Sequence, residues 1–562
     1  MRHAACSTFA LLLIAITFTG VGQAAWRTDG NQVTAKEEND FEPRIIDDGS
    51  GGAIIAWAAV CSHPDPHAIY ANRIDPYGCL FWGSCGLKVS SDEFQANTPV
   101  DIASDGAGGA IVCWSDTRGG NGEIFAQRLG PDGCFHWTIG GTEVCWTNGT
   151  QNYPRVAADG AGGGVFVWYD DRNGNRDLYA QRLDADGNLL WDPAGVPVCT
   201  EASAQQGHRI VSDGAGGAYI AWRDVRDGNG DAAVYVQRIA ADGSVAWALD
   251  GILVKEDSGY YQQLEPRMAS DAAGGAIVVW VDNQAAGLLA QRLDASGDWL
   301  WGAGGADVCT EIGGQYAPQI CADGYGGAAF SWYDSRNGGG VYAQRLSAVG
   351  SKMWTAEGLA VCFAIASDSY TRIAGDGAGG AVITWRNPEN YGDVYARHVE
   401  AAGNPTGPEA GTVLCVDDAG QYYPVVCCDG SGGGIVAWQD SRNVADTDSD
   451  IYAGRIFANG STDVASPPAA KRPRIRSYPN PFNPSTTIVY ELAEDGSVHL
   501  AIHDIAGRRL RTLLNGEHVR AGAHELAWDG RDDTGARLGS GIYLCRLSTV
   551  ASTTTGRLVL LK

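Results

Sequence analysis

The chain has 562 residues, more than one ordinary hydrophobic core can serve, so its length calls for three or four domains unless a repeat absorbs it. With 40 Lys and Arg against 66 Asp and Glu the net charge is −26, which argues against a nucleic-acid partner, because gripping a phosphate backbone depends on clustered cations. Gly at 77, Trp at 18 and Met at only 3 describe many tight turns and aromatic-pinned strands, not long helices.

In chain order, Met1-Arg2-His3 leads into an apolar run from Phe9 to Phe18 and then Gly22-Gln23-Ala24, a small-x-small cleavage pattern. Residues 1–24 therefore read as a secretory signal. No later stretch reaches the roughly 18 uninterrupted apolar residues of a membrane helix, so no membrane span is expected and the mature chain should be secreted or held at the cell surface.

A turn of the form Asp-Gly-x-Gly-Gly, or a near variant, then begins at Asp48, Asp105, Asp159, Asp213, Asp271, Asp323, Asp376 and Asp429. Each is followed by a short apolar run ending in Trp: Trp57, Trp114, Trp168, Trp222, Trp280, Trp332, Trp385 and Trp438. Glycines supply positive φ at a hairpin, and the run after them is a strand signal. A second strand recurs as Tyr179-Ala180-Gln181-Arg182-Leu183, a third signal follows at Leu190-Trp191, and a short strand such as Pro154-Arg155-Val156-Ala157 precedes the turn. Four short strands per unit of about 50 residues is the pattern of a propeller blade. Val165-Phe166-Val167-Trp168 is apolar throughout, so both faces of that strand should be covered, as between two stacked blades.

The ends of the array indicate how it closes. Trp82, Trp137, Trp191, Trp247, Trp301 and Trp354 are each followed by Gly four residues on and Val seven on, and the last two repeats lack this Trp. Trp26, Gly30 and Val33 stand in the same register at the start of the mature chain. The first strand is therefore expected to complete the last blade, giving an all-β, eight-bladed propeller over residues 25–460 with no bare edge. The repeated turn aspartates and Trp26 are structural in this reading.

Other recurrent residues weigh toward structure as well. Asp116 and Arg118, Asp170 and Arg172, Asp224 and Arg226, Asp334 and Arg336, and Asp440 and Arg442 repeat as Asp-x-Arg, with a second Arg at 128, 182, 238, 292 and 345. Such repetition suits salt bridges between neighbouring blades, since a catalytic site would gather its groups at one place. Fourteen cysteines follow the signal; those at repeat positions read as small buried residues, while Cys309 with Cys321 and Cys415 with Cys427 are the best candidate pairs for disulfides. Asp446, Asp448 and Asp450 alternate in a loop at a spacing that suits calcium, the one cofactor suggested here. Cys61, His63, Asp65 and His67 crowd another loop that could hold zinc, although two prolines within it favour an ordinary exposed loop. The segment from Leu183 to Trp191 resembles the tryptophan-docking motif of quinoprotein dehydrogenases, but no insertion here supplies their ligands.

Residues 461–476 are rich in Ser, Pro, Ala and basic residues, a linker composition. Val498, Leu500 and Ile502 then alternate as a half-buried strand should, and Asp529-Gly530 and Asp533-Thr534-Gly535 are turn signals. Tyr478-Pro479-Asn480-Pro481-Phe482-Asn483-Pro484, His503-Asp504-Ile505-Ala506-Gly507-Arg508, Trp528-Asp529-Gly530 and Ser540-Gly541-Ile542-Tyr543 together resemble the type IX (Por) secretion sorting domain, related to the FlgD-like immunoglobulin domain. That resemblance implies a seven-stranded sandwich over residues 477–562, read by a secretion machinery and sometimes removed at the surface.

The expected function is that of an exported, non-enzymatic binding or scaffold protein whose propeller meets a glycan, protein or surface polymer. No unique polar constellation is expected within the uniform repeats. The competing reading is a secreted propeller enzyme, glycoside hydrolase-like or quinoprotein-like, with its active site at the channel mouth.

Overall fold

The computed structural model describes residues 26–34, 39–60, 67–91, 97–118, 120–226, 232–255, 263–282, 287–311, 314–363, 365, 370–388, 392–417, 419–443, 449–462, 474–492, 496–504, 507–520, 522–549 and 553–561. Residues 1–24, expected to be a secretory signal, lie outside them.

Residues 151–199 show how one repeat folds. Strands Gln151–Ala158, Gly164–Asp170, Asp177–Leu183 and Val196–Cys199 pair antiparallel in chain order. In the first turn Asp159 Oδ1 accepts hydrogen bonds from the amides of Ala161 and Gly163, both at 2.8 Å. Gly163 is required by space: a Cβ there would stand 2.1 Å from the Leu183 carbonyl oxygen. The second strand is buried at every position, as a strand covered on both faces must be. Its Trp168 lies opposite Tyr179. Equivalent pairs Trp57–Tyr70, Trp222–Tyr235, Trp332–Tyr342, Trp385–Tyr395 and Trp438–Tyr452 stack with ring centroids 5.9 to 6.5 Å apart.

Seven more four-stranded sheets repeat this plan, beginning at Asn39, Asn97, Gln206, Gln263, Gln315, Arg372 and Gln421. Numbered in chain order with the sheet above as sheet 3, they give a propeller-like series. Sheet 8 takes its fourth strand from the other end of the chain: Asn31–Gln32 pairs with Asp450–Ile456, Asn31 opposite Ala453, and the Val33 amide donates to the Ile451 carbonyl at 2.7 Å. Eight apolar clusters fill the spaces between successive sheets, and the one joining sheet 8 to sheet 1 includes Trp26 and Val33. Packing between sheets, not within them, supplies the core.

A polar clamp crosses each of these junctions. Arg182 Nη2 meets Asp159 Oδ2 at 2.9 Å while its Nη1 donates to the Ala241 carbonyl on the next repeat at 3.1 Å, an oxygen that also accepts from Trp191 Nε1 at 3.0 Å. The turn aspartates Asp48, Asp105, Asp213, Asp271, Asp323 and Asp429 pair in the same way with Arg73, Arg128, Arg238, Arg292, Arg345 and Arg455. On sheet 7 His398 stands in for the arginine, 2.9 Å from Asp376 and 2.7 Å from the Ala458 carbonyl. In the Asp-x-Arg pairs, expected to bridge neighbours, the ion pair itself forms within one repeat, Arg226 holding Asp224 and the Asp250 carbonyl of the same sheet. Only one residue separates the members of each pair, so the side chains meet across their own turn. The neighbour is reached through a thiol: Arg226, Arg336 and Arg442 lie 2.9 to 3.5 Å from the sulfurs of Cys199, Cys309 and Cys415 at the end of the preceding sheet.

The expected disulfides are not formed: Cys309, Cys321, Cys415 and Cys427 are free thiols. Cys309 ends the fourth strand of sheet 5 whereas Cys321 lies in the first strand of sheet 6, at the opposite edge; Cys415 and Cys427 are separated in the same way. Burial pushes the Cys415 thiol up to about 12.

At the C-terminus, strands Arg474–Tyr478, Thr486–Leu492 and Gly522–Trp528 form one sheet, and Gly496–His503, Arg509–Val519, Gly541–Thr549 and Thr553–Leu560 another. Val498, Leu500 and Ile502 point into a core that also holds Trp528, Leu547 and Leu558, while His499 is exposed.

Candidate functional site

The first strand of each sheet is paired on one side only. These strands lie against one another in sequence, and that of sheet 8 lies against that of sheet 1, so they surround a common centre. Thirteen positions before each hairpin Trp stand Arg44, Asp101, Arg155, Arg209, Arg267, Gln319, Arg372 and Val425. In every sheet this residue lies opposite the one that precedes the Trp, from Ala56 in sheet 1 to Ala437 in sheet 8. The eight therefore occupy equivalent positions around the centre, and five of them are arginine.

A bulge two residues earlier sets the approach. Glu42, Tyr153, Glu265, Ala317, Tyr370 and Tyr423 have φ between 43° and 57°, and Gly207 has φ 64°. Pro43, Pro154, Pro266, Pro318 and Pro424 follow, tolerated because the strand is an edge whose amides need no ladder partner there.

The arginines sense one another. Burial and the like charges of Arg267, Arg44 and Arg155 push Arg372 down to about 9. Arg209 lies well below its ordinary value through burial and repulsion from Arg267 and Arg155, only partly offset by Asp101. Arg44 and Arg267 are also lowered, mainly by burial: at Arg44 Arg155 adds to the shift against Asp101 and Glu42, and at Arg267 Glu265 opposes it while Arg155 adds a smaller share. Arg155 has a carboxylate partner, Asp101 at 3.5 Å. Among the described residues Arg44, Arg209, Arg267 and Arg372 have none at ion-pair distance; each donates Nη1 to the carbonyl of the residue before it, at 2.7 to 3.1 Å. Arg209, Arg267, Arg372, Gln319, Glu265 and Tyr370 line a cavity of about 540 Å³.

His208 takes the place that proline holds in five other sheets. It is buried, donates from Nε2 to the Tyr153 carbonyl at 2.9 Å, and meets Tyr169 edge-on at 4.3 Å between ring centroids. Burial, with Arg155 and Arg209 beside it, holds its pKa well below the usual imidazole value, so the ring is neutral. Partly desolvated guanidinium forks with no carboxylate at ion-pair distance among the described residues suit the capture of a planar anion.

The sequence-derived candidates fall elsewhere. The turn aspartates and Trp26 lie in the clamps and junctions already described. Asp450 is buried in sheet 8, its carboxylate accepting from Gln32, Thr34 and Asn443 at 2.8 to 3.1 Å. Asp446 and Asp448 lie outside the described residues, as do Cys61, His63 and Asp65; the remaining member of that group, His67, is half-buried and has its pKa lowered by desolvation. Among the described residues no group of three His, Cys, Asp or Glu is placed to hold a metal, and no helix is long and apolar enough to cross a membrane. The arginine set was missed, contrary to the expectation of no unique polar constellation. Its signal was present in Glu42-Pro43-Arg44, Tyr153-Pro154-Arg155 and Glu265-Pro266-Arg267, aligned on the later Trp.

Residues 483–553 match the FlgD Ig-like domain family. No curated protein matches the chain in sequence. Among solved structures, similarity is found to PorZ of Porphyromonas gingivalis, an essential surface component of the type-IX secretion system, at 11% identity and TM-score 0.25 over 95% of this chain and 100% of that one. The β-propeller domain of the Trilobed protease from Pyrococcus furiosus gives 9% and 0.36 over 64% and 95%, and an ulvan lyase of a new polysaccharide lyase family gives 10% and 0.38 over 78% and 96%. At this level none of them carries a ligand, partner or activity over to this chain.

Proposed function

We propose that the chain is an exported, non-enzymatic binding protein that holds an anionic ligand in the arginine-lined centre of an eight-bladed β-propeller. In this reading residues 1–24 are a secretory signal, 25–460 the propeller, 461–476 a linker, and 477–562 an immunoglobulin-like sorting domain that engages a secretion machinery and attaches the protein to the cell surface. The observation that carries it is the convergence of Arg44, Arg209, Arg267 and Arg372, none of which has a carboxylate at ion-pair distance among the described residues, in a chain whose net charge is −26. Buried like charges are costly, and a bound anion offsets that cost. Binding is put first because the groups repeated around the centre are arginines, which hold anions as charged donors; Glu265 and Tyr370 in the same cavity are the groups on which the enzymatic reading would rest.

The test compares sodium sulfate with sodium chloride at equal ionic strength, by thermal unfolding of the full chain. Sulfate is expected to raise the midpoint further for the wild type than for an Arg267→Gln/Arg372→Gln double variant, since a ligand that binds only the folded state stabilises it. An equal sulfate increment in both proteins overturns the proposal.

A further inference from the structure

We infer that the anion is a uronic-acid polysaccharide, with carboxylates on the central arginines and sugar rings on the tyrosines beside them; this rests on the reading given above.

The arginines come from sheets 1, 3, 4, 5 and 7, so positive charge is spread around an opening instead of concentrated at one point. A small anion satisfies one or two guanidinium forks and leaves the others uncompensated. A chain with a carboxylate on successive units satisfies several, each fork matching a carboxylate bidentately.

The neighbouring layer has the chemistry of sugar recognition. Two residues before the arginine position stand Tyr153, Tyr370 and Tyr423, all at the bulge. Tyr153 is 47% exposed, Tyr370 lines the same cavity as Arg267 and Arg372, and its ring meets that of Tyr423 edge-on at 5.1 Å. A tyrosine offers an apolar ring face and a hydroxyl on a side chain with few torsions to freeze, which suits the C–H face and hydroxyls of a pyranose. Glu42 and Glu265 occupy the same layer. They accept from sugar hydroxyls but repel the dense charge of a polyphosphate, so the mixture favours a sparsely charged, hydroxyl-rich polymer. Gln319 and Gln206 add neutral polar groups to the same cavity.

The experiment measures binding to the full chain by calorimetry at fixed ionic strength, with galacturonate monomer, galacturonate hexamer, a neutral hexose hexamer and a glutamate hexapeptide as probes. The acidic hexamer is expected to bind at least about tenfold more tightly than the monomer and than either of the other oligomers. Tyr370→Ala, and independently Tyr423→Ala, should weaken the acidic hexamer by about tenfold while leaving the sulfate-induced stabilisation intact; Arg372→Gln should weaken both. Equal or tighter binding of the glutamate peptide would instead identify an acidic protein partner, and equal binding of the neutral hexamer a neutral glycan; either result overturns the inference. If sulfate acts through the arginines but the acidic hexamer does not bind, the inference fails and the anion-binding reading stands. If neither acts, both fail.

Discussion

The indole of Trp26 donates to the carbonyl of Pro76 at 3.1 Å, the same bond that Trp191 makes to Ala241 one junction after another around the series. The Pro76 oxygen also accepts from Arg455 Nη1 at 2.7 Å, so the N-terminal strand and the last repeat meet on one atom of the first. Closure is thus made by the parts that join the other sheets, save that the junction from sheet 7 to sheet 8 has no such Trp and carries His398 in place of the arginine.

Removing residues 26–34 should therefore do more than trim an end. It bares the strand Asp450–Ile456 and takes Trp26 and Val33 out of the junction cluster. The midpoint of thermal unfolding should fall by more than about 5 °C, and size-exclusion chromatography should show self-association through the exposed edge. An unchanged midpoint and a monodisperse product would show that the ring does not depend on this strand.

Two glycines of one turn should respond differently to alanine. Gly160 has φ 78° with open space around it, so Gly160→Ala should cost about 1 kcal/mol. At Gly163 the added methyl meets the Leu183 carbonyl, and relief requires the strand pair to part, so the cost should be about 3 kcal/mol or more. Denaturant unfolding of both variants gives the comparison, and equal losses would contradict the packing described.

His208 makes stability depend on pH. The folded chain keeps this imidazole neutral, whereas the unfolded chain titrates it near about 6.5, so below that pH the unfolded state binds a proton that the folded state does not. The stability is complete above about pH 6.5 and declines below it by up to about 1.4 kcal/mol per pH unit. His208→Gln keeps an N–H for the Tyr153 carbonyl without titrating, and should flatten the profile between about pH 6.5 and 5. Parallel profiles for the two proteins would place the acid sensitivity elsewhere.

The sheet repeat and its completion by the N-terminus were legible because hairpin glycines, the strand-ending Trp and the later Trp recur in a fixed order, and such local chemistry survives in a linear pattern. Pairing across repeats was not. The clamp arginines look interchangeable with the Asp-x-Arg arginines in sequence, and only the geometry shows that Arg182 leaves its own repeat while Arg172 does not. The arginine centre was hidden for a related reason: each repeat supplies one residue at the position, and Asp101, Gln319 and Val425 break the run. Their significance arises when the sheets bring residues hundreds of positions apart to a common centre.

The thiols offer an independent check on the fold. Cys309, Cys321, Cys415 and Cys427 should all be alkylated after denaturation without reductant, and mass spectrometry should find no mass loss attributable to a bond between them. In the native protein Cys309 and Cys415, both buried, should react far more slowly than the half-buried Cys428. A native bridge between Cys415 and Cys427 would require the opposite edges of sheets 7 and 8 to approach, and would contradict the architecture.

The most direct measurement is an anomalous-scattering map from crystals of the full chain soaked in selenate. Selenium density within hydrogen-bond distance of Arg267 and Arg372, absent after Arg267→Gln/Arg372→Gln, is the expected result. An empty centre, with selenate bound only at outer surface residues, would contradict it.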